Sequence, residues 1–303
     1  MLFDTHLHLI YPDRLKYPWL ENVDTLNKPS RYDNYKKKAA RLGIKTCLHM
    51  EVDVEESFIG KETTLVADLI KNEGGPLRGA ISACRPESKE FGGFLEKAQE
   101  NPIIKGFRRV LHVVPDNLSQ TDVFRSNIKR LSGSGLTFDI CVQARQLFLA
   151  KELVDCCPEV TFVLDHCGVP DIKAGDITDW KLEITELSKR KNLLVKISGI
   201  IAYGDSNTWS LDDIKPYFEH AVSAFGFDRI IWGSDSPVCN LGGGIETWVA
   251  ATYAITSSWT IEERQGLKIS CLEEIVFKNK YINVRQLEKL IQKLPNDYAN
   301  YLR

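Results

Sequence analysis

The chain opens with Met1-Leu2-Phe3-Asp4-Thr5-His6-Leu7-His8-Leu9. Apolar and polar side chains alternate along this stretch, the period of a β-strand whose successive side chains point to opposite faces. His6 and His8 then project one way, and Phe3, Thr5 and Leu7 the other. Two imidazoles at the end of a buried strand can ligate a metal or, when protonated, donate to a developing oxyanion. A bare pair of this kind reads equally well as two structural histidines, so its meaning depends on the rest of the chain.

Further short apolar runs follow, at Lys45 to Glu51, Leu77 to Cys84, Ile103 to Arg108, Thr137 to Val142, Thr161 to His166, Leu193 to Ser198 and Arg229 to Ser234. Between them lie segments of helical period: Tyr32 to Leu42, Lys61 to Glu73, Phe91 to Glu100, Thr121 to Ser132, Ala144 to Cys157, Lys181 to Arg190 and Leu211 to Phe225. Gly43, Gly74-Gly75-Pro76, Gly133-Ser134-Gly135, Pro158 and Gly226 punctuate the joints. Eight strands alternating with helices in 303 residues predict one α/β domain, a single (β/α)8 TIM barrel over residues 1–303 with a helical tail from about Thr260.

Composition narrows the functional classes. Hydrophobic residues at 43% and charged residues at 26% are ordinary for a globular protein, and a net charge of -2 offers no global attraction to nucleic acid or acidic membranes. No basic and apolar leader and no membrane-length apolar run is seen, so a cytoplasmic location is the expectation. The eight cysteines lack C-x-x-C spacing and read as reduced core thiols. The tail is expected to pack on its own barrel or on a second copy of the chain.

In such a barrel, chemistry sits at the carboxyl ends of the strands. Strand one ends in His6 and His8, strand six in Asp165-His166-Cys167-Gly168, and strand eight in Gly233-Ser234-Asp235-Ser236-Pro237. His6, His8, His166 and Asp235 either hold one divalent ion or bind a carbonyl and a water without metal, and both layouts are hydrolytic. Arg108, Arg109, His112, Gln143, Arg145 and Lys196 are donors at or just past strand ends, suited to an oxygenated or anionic small molecule. Glu51, read as sharing a face with His49, is a candidate for a sugar hydroxyl. Tyr203, Trp209, Trp232 and Trp248 are core residues or a platform under a ring. Gly242-Gly243-Gly244 lacks the Lys-Ser/Thr of a phosphate loop and reads as a pocket wall.

Asp4-Thr-His6-Leu-His8, Asp165-His166-Cys-Gly168, Val195-Lys196-Ile-Ser198-Gly199 and Trp232-Gly-Ser-Asp235-Ser-Pro237, in this order, resemble the amidohydrolase superfamily. Within it they look like the branch of L-rhamnono- and L-fucono-lactonases and pyrone dicarboxylate lactonases. The resemblance implies a distorted barrel, a sugar-acid lactone as substrate and Asp235 as the base toward water. His6, His8 and His166 would polarise the carbonyl or hold a zinc ion. Binuclear members carry a carboxylated lysine on strand four and a histidine on strand five. Here those strands read Ile104-Lys105-Gly106-Phe107-Arg108 and Cys141-Val142-Gln143, so two metals are not expected. Metal content varies in the lactonase branch, and the resemblance allows one zinc that is not essential to turnover. The alternative is a zinc-dependent non-oxidative decarboxylase of the aminocarboxymuconate-semialdehyde type, which needs the strand-five histidine that Gln143 replaces.

Overall fold

The structure, a computed structural model, describes residues 2–206 and 208–260. Eight parallel strands pair in sequence order: β1 (Leu2–Leu7), β2 (Ile44–Met50), β3 (Leu77–Ala83), β4 (Ile104–Val110), β5 (Thr137–Cys141), β6 (Phe162–Leu164), β7 (Leu193–Ser198) and β8 (Ile230–Gly233). The helices are α1 (Tyr32–Leu42), α2 (Ile59–Glu73), α3 (Phe91–Gln99), α4 (Asp122–Lys129), α5 (Leu147–Cys156), α6 (Thr178–Leu187), α7 (Leu211–Phe225) and α8 (Ile245–Ile255). This is the expected α/β TIM barrel. The helical tail expected from about Thr260 lies outside the described residues. No described helix is long and apolar enough to cross a membrane.

Local chemistry explains the elements. In α1, Tyr32, Tyr35 and Ala39 fall on one helical face and are buried against the sheet. Ser210 and Asp213 cap each other's backbone at the start of α7. Helix α8 escapes a reading by period because Ile-Glu-Thr-Trp-Val-Ala-Ala-Thr-Tyr-Ala-Ile is apolar nearly all round, and Ile245, Trp248, Val249, Ala251, Thr252 and Ile255 are all buried. Trp248 stacks on Trp232 with an interplanar angle of 9°, so both indoles are core.

The barrel interior is built in layers. Leu48, Met50, Ile81, Val163, Leu194 and Ile231 form an apolar cluster separate from the larger core between strands and helices. Two residues further along a strand the same face is met one layer up. Val163 is thus followed by Asp165, Leu194 by Lys196 and Ile231 by Gly233, and an ionic layer lies directly on the apolar one.

Closure between β8 and β1 departs from a regular ladder. Thr5 Oγ1 donates to the Trp232 carbonyl (2.8 Å), the Asp235 N–H to the His6 carbonyl (2.8 Å) and the His8 N–H to the Ser236 carbonyl (2.7 Å). The Ser234 N–H (2.7 Å) and the His6 N–H (3.1 Å) both end on Asp4 Oδ1.

Candidate active site

The three imidazoles and Asp235 meet at the carboxyl end of the barrel. His6 and His166 have ring centroids 4.5 Å apart, and His6 and His8 4.9 Å. Asp235 Oδ1 lies 3.3 Å from His8 Nε2 and 3.7 Å from His6 Nε2, while Oδ2 lies 3.7 Å from His166 Nδ1. The backbone is bent to achieve this: His166 has φ 52° and Asp235 φ 55°, a region that costs non-glycine residues energy and recurs at functional sites. That bend ends β6 at Leu164, although the apolar run predicted a strand through His166.

Two glycines of the quoted motifs make the approach sterically feasible. A Cβ on Gly199, whose φ is 54°, would sit 2.3 Å from Asp235 Cβ, and one on Gly233 would sit 2.5 Å from His6 Cβ.

Hydrogen bonds fix where the protons are. His8 Nδ1 donates to the Met50 carbonyl (3.0 Å), which leaves Nε2 as a lone pair. The guanidinium of Arg108 can only donate, and its Nη1 lies 3.3 Å from His6 Nε2, so that nitrogen also presents a lone pair. The His6 proton is then on Nδ1, which faces Asp165 Oδ1 at 3.5 Å, too long for a made hydrogen bond. His6 Nε2 and His8 Nε2 are 3.2 Å apart, and neither oxygen of the buried Asp235 carboxylate has a hydrogen-bond partner. Three acceptors facing one another repel unless a cation or an added proton lies among them. The donor set His6, His8 and Asp235 therefore fits a divalent ion, and His6, Asp165 and His166 form a second, overlapping group of ligand atoms.

Burial dominates the electrostatics. It pushes the His8 imidazole down to about 3, with the neighbouring Arg108 charge acting the same way. Burial also lowers His6 and His166, against the pull of Asp165 on the first and of Asp235 on the second. The Asp235 carboxyl is raised to about 7 by burial, opposed by His166 and Arg108.

Around this centre runs a chain of buried charges. Arg108 donates from Nε to Glu51 Oε1 (2.5 Å) and from Nη2 to the Glu51 carbonyl (2.7 Å), and its Nη1 is 3.4 Å from Asp165 Oδ2. Lys196, 2% exposed, pairs with Asp139 and, at 2.9 Å, with Asp165. Burial would lower its ammonium, but the two carboxylates outweigh that and raise it.

Of the expected donors, Arg108, Glu51 and Lys196 thus join the histidines, bound to one another rather than pointing into open space. Arg109 pairs with Glu87 (2.9 Å), Gln143 is exposed and accepts from Arg145 (3.2 Å), and half-buried His112 sits 3.5 Å from the Cys141 thiol. His49 and Glu51 do not share a partner or a face: His49 Nε2 lies 3.2 Å from Glu62 of α2, whereas Glu51, past the last residue of β2, turns to Arg108. The alternation behind that expectation stops where the strand stops. Tyr203 packs edge-on against His166 (5.8 Å), and the Trp209 indole donates to the Gly242 carbonyl (2.9 Å).

Sequence reasoning gave Asp165, Asp139 and Asp4 no role. Asp139 carried a signal, since a lone carboxylate between Phe138 and Ile140 in an apolar strand demands a buried counter-charge.

A parallel (β/α)8 barrel with a carboxylate and three imidazoles at the strand ends is the framework of a hydrolase that activates water at its mouth. The family model described as amidohydrolase matches residues 3–267, and the chain belongs to the amidohydrolase family. An L-fucono-1,5-lactonase of Burkholderia ambifaria is 29% identical over 144 residues, 47% of this chain and 49% of that protein. The 4-sulfomuconolactone hydrolase of Rhizobium radiobacter is 26% identical over 247 residues, 78% and 75% of the two chains. A solved amidohydrolase from Burkholderia multivorans with bound zinc superposes with a TM-score of 0.81 at 20% identity, covering 91% of this chain and 98% of that one.

Proposed function

We propose that the protein hydrolyses the ester ring of a sugar-acid lactone of the L-rhamnono-1,4-lactone or L-fuconolactone type, with Asp235 as the base. The observation that carries this reading is the buried Asp235 carboxylate, with no hydrogen bond to either oxygen and three imidazoles facing it. Relatives named for lactone hydrolysis support it.

Asp235 takes a proton from the attacking water, and charge builds on the lactone carbonyl oxygen. The Arg108 Nη1 donor, 3.3 Å from His6 Nε2, meets that charge, while His166 donates from Nδ1 to the Ser198 carbonyl (3.1 Å) and walls the carboxylate. The protonated Asp235 then returns its proton to the departing ring oxygen. Glu51, Lys196 and Asp165 hold Arg108 and His6 in place, while contact with the sugar is assigned to Arg109, Gln143 and His112. His6, His8 and Asp235 would hold a zinc ion, which when bound polarises the carbonyl and acidifies water.

The test is a panel of sugar lactones and carboxylated aromatic acids offered to purified protein whose metal content has been measured. Acid release from a sugar lactone, followed by a pH indicator, is the expected result. Carbon dioxide release with no lactone opened would instead establish the decarboxylase.

A further inference from the structure

At the β1–β8 seam the barrel's backbone pairing gives way to a side chain. His6 N–H and Ser234 N–H would meet carbonyls in a regular ladder, yet both end on Asp4 Oδ1, at 3.1 and 2.7 Å. The other oxygen, Oδ2, accepts the Tyr35 hydroxyl at 2.6 Å, reaching in from α1 outside the barrel. Asp4 is 0% exposed, and the β1–β2 register slips between Asp4 and Leu7. The two N–H groups that Asp4 gathers belong to the first imidazole of the site and to the residue just before Asp235. One carboxylate therefore sets the height of both partners across the seam.

We infer that Asp4, clamped by Tyr35, is a positioning residue that fixes the Asp235 carboxylate against His6 and His8. It contacts neither substrate nor water. The inference rests on Asp235 being the base, and its anatomy explains why a buried carboxylate is retained where neutral N–H and O–H donors surround it. Tyr35 matches this role: burial and the Asp4 charge both raise its phenol, so it stays a donor.

Three variants test it. Asp4→Asn keeps an oxygen for the two N–H groups and lets the Tyr35 hydroxyl turn to accept; Asp4→Ala leaves both N–H groups without an acceptor; Tyr35→Phe removes only the clamp. A displacement of about an ångström at a reacting group costs about 10²-fold in rate. Asp4→Ala should therefore lose about 10²-fold in kcat with KM nearly unchanged, and Tyr35→Phe about tenfold, while Asp4→Asn stays within a few-fold of the unaltered enzyme. Should Asp4→Ala fail to fold, Tyr35→Phe against Asp4→Asn decides alone. Cobalt(II) titration, followed by its visible absorption, gives a readout free of catalysis: Asp4→Ala or Tyr35→Phe should bind at least about tenfold more weakly, Asp4→Asn nearly normally. Folded Asp4→Ala or Tyr35→Phe with kcat within twofold, losses confined to KM, or equal damage from Asp4→Asn and Asp4→Ala would overturn the inference. If the unaltered protein opens no lactone, the function proposed above fails while the cobalt arm still decides this one.

Discussion

Replacing Lys196 by Met keeps most of the side-chain volume and removes one buried charge. Lys196 is the cation beside two carboxylates, Asp139 at 1% and Asp165 at 0% exposure. Asp165 keeps Arg108 at 3.4 Å. Asp139 keeps only the Thr137 hydroxyl at 3.4 Å among its hydrogen bonds here, so its charge is left nearly bare. Breaking one partner of a buried pair costs about 3–5 kcal/mol. At about 2–4 °C per kcal/mol for a chain of this size class, the melting temperature should fall by about 6–20 °C. Burial already raises the Asp139 carboxyl against the pull of Lys196, and without that pull it rises further. A carboxyl raised in the folded state stays protonated there after the unfolded chain has ionised, so stability falls as pH rises from about 4 toward the folded value. The unaltered protein shares that slope up to its own folded Asp139 value, so the Lys196→Met deficit should grow only above it: urea denaturation at pH 6 and 8 should show the larger deficit at pH 8, by at most about 1.4 kcal/mol per unit over the interval between the two folded values. Adding Asp139→Asn should recover much of the loss. A single variant that loses under about 1 kcal/mol, equally at both pH values, would refute the counter-charge role, and a rise in KM with intact stability would make Lys196 a substrate donor instead.

Asp235→Asn should retain the fold and lower kcat by about 10²–10⁴-fold, read in the indicator assay with circular dichroism as the control. Gly199→Ala places a methyl 2.3 Å from Asp235 Cβ at a positive φ; it should cost at least about 1 kcal/mol in urea midpoint measurements and most of the turnover. Of the seven described cysteines, Cys47, Cys84, Cys141, Cys157, Cys167 and Cys239 are buried and burial raises their thiols. Mapping of adducts from a charged thiol reagent should find those six unlabelled in the native protein and labelled after urea, with Cys156 the first described position to react.

Much of the architecture is legible from period alone. Tyr32–Leu42, Leu193–Ser198 and Leu211–Phe225 begin and end where the pattern places them, because each buries one face or one run and is bounded by a cap or a glycine. Two places resist such a reading. Helix α8 has almost no polar face to reveal its turn, because its exposed side carries Ala250, Tyr253 and Ala254 beside the single charge of Glu246. The end of β6 bends because His166 must reach Asp235, a demand made by a residue about seventy positions away and invisible locally.

The amino-acid order by itself determined the alternation of strands and helices, hence the barrel, and it put His6, His8, His166 and Asp235 at strand ends, where parallel packing must bring them to one mouth. Only the tertiary structure decided which charges face which. Arg108 and Lys196 read from sequence as donors to a ligand, yet each is bound to carboxylates contributed by other strands or the turns just after them. Asp4 reads as a strand residue, yet it joins the first strand to the last. The physical reason is range: side-chain period is a property of neighbours along the chain, whereas a buried charge is tolerated only where a partner arrives through space.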